Sequence, residues 1–253
     1  MVAGCSAKLA KMVLFVFNFL VWLVGIILIG LGGYILARPD KYSSFFGSNT
    51  NTLAVACGVV IGVGCLVFLV AFAGCCGAFK ESSCLLKVYI AILLLLLILE
   101  IVGGILAIVF RGSIEDVMKT ELKRQIREDY TAPTDPTKPG LIDVLQETGG
   151  CCGADNYNDW KDSKFQNATP GKWVPLSCCK DPTGTPTCNN AAVDDIADKA
   201  LINEGGCIGS VVESFQNNLL IIGAVALAMI VAEILAMIFA CCVISGIDNG
   251  EYE

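Results

Sequence analysis

The chain has 253 residues, a formal net charge of −7 and no histidine, so it lacks both the commonest metal ligand and the usual general base near neutral pH. Hydrophobic residues make up 55% of it and the mean hydropathy is +0.68, too apolar for an ordinary soluble domain. The acidic balance argues against nucleic acid or anionic lipid as a partner.

In chain order, residues 1–11 are a short terminus, and residues 12–37 are the first of four long apolar runs; the others are 53–79, 88–110 and 219–245. Each exceeds the roughly 20 helical residues that a hydrocarbon core requires. None shows the alternation of a membrane barrel strand, so helices are predicted. The first run is longer than the apolar part of a signal peptide, about 7 to 15 residues, and is read as a retained span. The connections are 38–52, 80–87 and 111–218, and 246–253 form the tail. The expected fold class is an all-α membrane protein with four transmembrane helices and a disulfide-stapled, mainly helical large extracellular loop. Lys8, Lys11, Lys80 and Lys87 flank one side of the spans and Arg38 and Lys41 the other; this bias places both termini in the cytosol.

Residues 111–218 carry 17 acidic and 11 basic side chains, which accounts for most of the negative charge. Ile114, Met118, Leu122 and Ile126, with Val117, form a helical ladder continuing the third span. Ile208, Val211, Val212, Phe215 and Leu219 run back from the fourth, so a two-helix stalk is predicted. Pro133, Pro136, Pro139 and Gly140 end the first ladder, a short helix fits 141–147, and Gly149-Gly150 stops it. Beyond lie six cysteines, Cys151, Cys152, Cys178, Cys179, Cys188 and Cys207. An even set in a small polar region is a disulfide framework of an oxidising compartment, and spacing alone leaves all 15 pairings open. Trp160 and Trp173 are assigned to packing against the cystines. Asn167-Ala168-Thr169 is the only glycosylation sequon in the loop region.

These residues resemble the tetraspanins: four spans with a short and then a long outer loop, Cys151-Cys152-Gly153 followed by Tyr157 and Asp159-Trp160, Val174-Pro175-Leu176-Ser177-Cys178-Cys179, and Glu204-Gly205-Gly206-Cys207. The connection Gly74-Cys75-Cys76-Gly77-Ala78-Phe79-Lys80-Glu81-Ser82-Ser83-Cys84 is similar as well. Within the family the chain looks most like the six-cysteine branch of the late-endosomal and lysosomal type. The resemblance implies disulfides Cys151–Cys207, Cys152–Cys178 and Cys179–Cys188. It also implies a non-enzymatic organiser that recruits adhesion receptors, immunoreceptors or proteases, together with other tetraspanins, into membrane microdomains. Tyr252 is followed by Glu253 alone, so the branch's Tyr-x-x-apolar sorting signal is not expected, and the plasma membrane is the expected location, with endosomes and extracellular vesicles second.

Six cysteines, Cys5, Cys75, Cys76, Cys84, Cys241 and Cys242, fall near the cytosolic ends of spans, where S-palmitoylation occurs. No further ligand types gather around them, so no metal site is expected. Glu100 and Glu233 lie inside spans, where an acidic group costs roughly 2.5–3.5 kcal/mol on insertion scales, and Asn18 heads the heptad series Asn18, Gly25, Gly32. Gly58 and Gly62 suggest a small-residue packing face on the second span. Counting 1.5 Å per residue, Glu233 lies about 18 Å and Asn18 about 9 Å from the inner ends of their spans. In tetraspanins the helix pairs diverge towards the cytosol around a cavity, and the resemblance assigns Asn18 and Glu233, with Glu100, to the hydroxyl of a bound cholesterol; no other cofactor is expected. The alternative functions are a small ion-coupled transporter using Glu100 and Glu233, and a claudin-like junction or channel protein. Internal repeats and broken helices, which transporter sites use, are absent from the sequence pattern.

Overall fold

A computed structural model describes residues 7–42, 50–133, 139–181, 188–190 and 200–250. Two compact units emerge: Met1–Ala37, Ala56–Val109 and Leu220–Glu253 form one, and Arg38–Val55 with Phe110–Leu219 the other.

The first unit is built from α1 (Ala7–Leu36), α3 (Thr50–Phe79), α4 (Ser83–Val109) and α9 (Leu219–Asp248); α2 is the single turn Pro39–Tyr42 of the first loop. All four long helices are apolar and long enough to cross a membrane. The connection expected over 80–87 is shorter here, because Ser82 starts α4 early: its carbonyl accepts from Leu86 N at 3.1 Å. Glu81 takes a left-handed φ of 54° in this tight reversal and pairs with Lys11 of α1.

Helices α1 and α3 pack through small residues at seven-residue spacing, the pattern of a left-handed pair. Asn18, Gly25 and Gly32 are buried on α1; Cys57, Gly64, Ala71 and Ala78 are buried on α3. A Cβ on Gly25 would lie 2.8 Å from the backbone nitrogen of Phe68, and one on Gly64 would lie 3.0 Å from the Leu28 Cβ. The expected face of Gly58 and Gly62 is not used: nothing lies within 4 Å of a Cβ at either. Gly58 follows Cys57, so it sits about 100° around the helix from the packed stripe.

All four helices share one cluster, in which Leu14, Ala78, Leu86, Tyr89, Leu93, Ala236, Ala240 and Val243 are buried. It lies at the end that carries the 80–82 connection, so the helices meet at the end where the resemblance implied divergence. No residue of 101–110 or 219–229 is buried. Lipid tails are as apolar as leucine, so nothing draws helices together except close packing and polar ties; the Lys11–Glu81 pair is at the clustered end.

The second unit contains α5 (Arg111–Arg124), a π-helical turn (Gln125–Asp129), α6 (Leu141–Gly149), α7 (Lys164–Ala168) and α8 (Cys207–Asn217). Among the described residues, isolated bridges join Asn156 with Gly205 and Cys179 with Ile202. Gly150, at φ 55°, closes α6 by donating its N–H to the Gln146 carbonyl. The core holds Ile126, Tyr130, Trp160, Phe165, Val174, Ile202 and Ile208. The predicted stalk is only half formed: Leu122, Ile126, Ile208 and Val212 join this core, whereas Ile114, Val117, Met118 and Phe215 are exposed. Four residues advance a helix by about 40° beyond a full turn, so a ladder in register at Ile126 has rotated away from the core by Ile114.

Gly25→Val should destabilise the membrane unit by about 1–3 kcal/mol through overpacking, while Gly58→Ala should stabilise it by about 0.5–1 kcal/mol through helix propensity. Thermal unfolding of both variants in one detergent checks the contrast.

Candidate functional site

The polar centre of the large loop is assembled by α6 and the two cysteine motifs. Disulfides join Cys151 to Cys207, Cys152 to Cys178 and Cys179 to Cys188. Beneath them, the fully buried Gln146 carboxamide accepts from Trp160 Nε1 at 3.2 Å and from Gly153 N at 3.1 Å, and donates to Ser177 Oγ at 2.8 Å. Ser177 Oγ in turn donates to Asp143 Oδ1 at 2.7 Å, which also accepts from the Tyr130 hydroxyl at 2.7 Å; Asp143 Oδ2 accepts from Gly140 N at 3.0 Å. Each member is satisfied by another, which makes such a network specify one arrangement. Trp160 stands edge-on to Tyr130 and Phe165, with ring centroids 4.7 and 5.6 Å away, so its role is packing.

The motif glycines are sterically required. Gly153 has φ 74° and lies against the Asn156 carbonyl, and a Cβ on Gly206 would overlap the Ala154–Asp155 backbone. Asp159 Oδ2 gathers the N–H groups of Ala154, Asp155 and Asn156 at 3.0, 2.7 and 3.3 Å. The backbone then zips to the last motif: Cys152 N donates to Gly205 O at 2.8 Å and Cys207 N to Gly153 O at 2.9 Å.

On the surface, Lys123 of α5 bonds Asp155 and lies 3.6 Å from Asp159 Oδ1; Lys119 bridges Glu115 at 2.9 Å and Asp155 at 3.6 Å. The Lys123 bond holds the Asp155 carboxyl below its usual range. Arg124, with help from Gln125, pushes Glu121 down to about 2.

In the membrane unit, Asn18 is buried and its Nδ2 donates to Leu14 O at 2.9 Å; the helix position opposite it is Gly74, where a Cβ would lie 2.5 Å from Asn18 Oδ1. The buried phenol of Tyr89 sits against the Asn18 side chain and near Glu233, which has Glu100 as a neighbour. Glu233 Oε2 is buried without a hydrogen-bond partner. Tyr89 was missed by the sequence reading because a tyrosine near the start of a span is indistinguishable from an interfacial anchor.

The cysteine candidates for acylation separate by exposure. Cys84 and Cys241 are exposed and Cys76 is half-buried, whereas Cys75 is buried with its Sγ 3.7 Å from Phe15 O. Cys242 is buried and its sulfur is engaged in a disulfide, which leaves no thiol for the acylation expected of it; Cys5 lies outside the described residues. No group of metal-ligating side chains occurs among the described residues. Asn167 is exposed on α7, and the Thr169 hydroxyl of its sequon donates to Phe165 O at 2.6 Å.

Residues 10–246 match the sequence profile of the Tetraspanin family. The chain belongs to the tetraspanin family. CD151 antigen of Mus musculus is 32% identical over 252 residues, 99% of this chain and 97% of the relative. CD151 antigen of Macaca mulatta is 33% identical over 250 residues, 98% and 96% of the two chains. CD63 antigen of Bos taurus is 31% identical over 227 residues, 90% and 88% of the two. This tetraspanin is thus nearly equally identical to the CD151 and CD63 antigens, and its match to CD151 covers more of the chain.

In this tetraspanin, Gln146→Leu strands the Trp160, Gly153 and Ser177 polar groups in the core and should cost about 1–3 kcal/mol for each group left unpaired, read as a lower melting temperature with the disulfides intact by mass spectrometry. The surface pairs set an acid limit. Because the Asp155 and Glu121 carboxyls titrate below their free values of 3.8 and 4.5, their contribution is complete above those values and is lost as pH falls through the folded ones. The melting temperature should stay level from about pH 7 to 5 and decline below that, with a shallower decline in Lys123→Met combined with Arg124→Met.

Proposed function

We propose that this tetraspanin is a non-enzymatic organiser, holding partner membrane proteins laterally through its spans and through the surface of its large loop. Its partners are adhesion receptors, immunoreceptors or proteases, together with other tetraspanins, gathered at the plasma membrane into microdomains that serve adhesion, signalling and trafficking. The observation that supports this reading best is the cystine-locked frame around Gln146. A rigid frame lets the chain between residues 155 and 204 vary in sequence without loss of the core, which is how loops come to carry specificity. Both termini are cytosolic in this proposal, Asn167 carries a glycan, and the accessible thiols Cys76, Cys84 and Cys241 are the acylated ones.

Sterol acts on the spans in the same reading. The unpartnered oxygen of Glu233 suits a sterol hydroxyl, with Glu100 beside it, whereas Asn18 already spends its amide on Leu14 and serves helix packing. A bound sterol biases partner binding only if it prefers one arrangement of the protein over another.

Replacing residues 155–204 by those of a relative, with the cysteines kept, should transfer partner preference in mild-detergent co-purification; an unchanged partner set assigns specificity to the spans instead. Photoactivatable sterol should label Glu233→Ala several-fold less than the parent and Asn18→Ala about as well. Equal labelling of folded Glu233→Ala removes the sterol role.

A further inference from the structure

Within the membrane unit, α4 and α9 each have one side that is covered at one end of the helix and bare at the other. On α4, Tyr89 and Leu93 are buried in the four-helix cluster, and at 100° per residue both lie within about 20° of the direction of Glu100. Further along that side, Gly103, Gly104 and Ala107 fall within about 60° of it, and all three are exposed. On α9 the change takes place at Glu233: Ala236 and Ala240 on its side join the same cluster, whereas Ala226 and Met229, also on its side, are exposed. A Cβ at Gly103 or Gly104 meets nothing within 4 Å. Glu233 has Glu100 as a neighbour, so the two acids stand where the covered stretch gives way to a groove. Its small residues let a further backbone come close.

Charge identifies what fills the groove. The four apolar runs contain no lysine and no arginine, and two acids bring no opposite charge to each other. Glu233 Oε2 is buried without a hydrogen-bond partner. Counting from Val109 and Leu219, Glu100 and Glu233 lie about 14 and 21 Å along their helices, near the middle of a hydrocarbon core of roughly 30 Å. Ionisable groups at that depth are costly unless they are paired. Acyl chains would cover the glycines but bring nothing to the carboxyls. A helix with a basic side chain at its centre does both.

We infer that the groove between α4 and α9 receives a span of another membrane protein that carries a lysine or arginine near its middle, with that cation set between Glu100 and Glu233. Within the organiser reading, on which it rests, this contact selects partners by the charge of their spans, while Gly103 and Gly104 admit the incoming backbone.

The test reconstitutes the full chain in sterol-free phosphatidylcholine, because a sterol hydroxyl would take the same oxygen of Glu233. The probe is a Leu–Ala helix of about 23 residues with uncharged flanks and one central Lys, compared by energy transfer with the same helix bearing Gln or Leu at that position. The Lys helix should associate at least about fivefold more tightly with the parent than the Gln or Leu helix does. E100Q combined with E233Q should lose that preference, and G104L should weaken association of the Lys helix at least about twofold by blocking close approach. Absence of a Lys preference in the parent overturns the inference, and so does a preference that folded E100Q/E233Q retains. Either result leaves the organiser reading standing, since receptor co-purification tests that separately. The unmodified protein gives an independent reading: a diazirine one turn from the probe's Lys should label residues 101–107 and 222–230 in preference to α1 and α3, and labelling spread evenly over the four spans overturns the groove.

Discussion

The neighbouring cysteines Cys151-Cys152 and Cys178-Cys179 are the constraint on which the large loop depends, because each pair sends its two sulfurs in different directions from one point of the chain. Cys151 reaches across 56 residues to Cys207, Cys152 across 26 to Cys178, and Cys179 across 9 to Cys188. Closing the longest of these loops is worth on the order of 4 kcal/mol in the chain-entropy model. That matters in a unit whose core is small and whose backbone is largely irregular. With the ends fixed, burying Gln146, Ser177 and Asp143 becomes favourable, since each polar group meets its partner without further ordering. The Cys-Cys-Gly motif is therefore a device for bringing the N–H of Gly153, the indole of Trp160 and the amide of Gln146 to one place.

Different physics holds the membrane unit. Apolar side chains have no preference for one another over lipid, so association follows from how closely backbones approach and where polar groups must be satisfied. Gly25 against Phe68 and Gly64 against Leu28 provide the first; Asn18 with Tyr89, and Lys11 with Glu81, provide the second. These ties serve α1, α3 and the clustered end of α4. Beyond that end, residues 101–110 and 219–229 have no comparable reason to be buried. Helices left uncovered in this way present long lateral surfaces, which is what an organiser of other membrane proteins requires.

The two units thus divide the work by chemistry. The loop is rigid where cystines and buried hydrogen bonds meet and irregular between them, so its surface can change at small cost. The spans offer apolar surface together with a small polar set, Asn18, Tyr89, Glu233 and Glu100, of which Glu233 alone keeps a buried oxygen unmatched. An unmatched acceptor at that depth is expensive.

Most of the architecture was legible in the residues because its signals are local and strong. Four apolar runs read as helices because a backbone in lipid has no other partner than itself, and the cysteine and glycine motifs announce a stapled loop because only glycine can stand where Gly153 and Gly206 stand. Helix packing was less legible: Gly58 and Gly62 match the same small-residue pattern as Gly64 but face away, since the pattern does not say which side of a helix meets a neighbour. Gln146, Asp143 and Tyr89 carried no sequence signal, because a polar residue on an amphipathic helix looks solvent-facing until its partners, distant in the chain, are folded against it. Residue type and spacing by themselves determined the spans, the stapled loop and the family. Tertiary structure decided which helix faces are used, which end of the bundle closes, how far the stalk is buried and which polar groups are matched, because each depends on distances between segments that the linear order of residues does not contain.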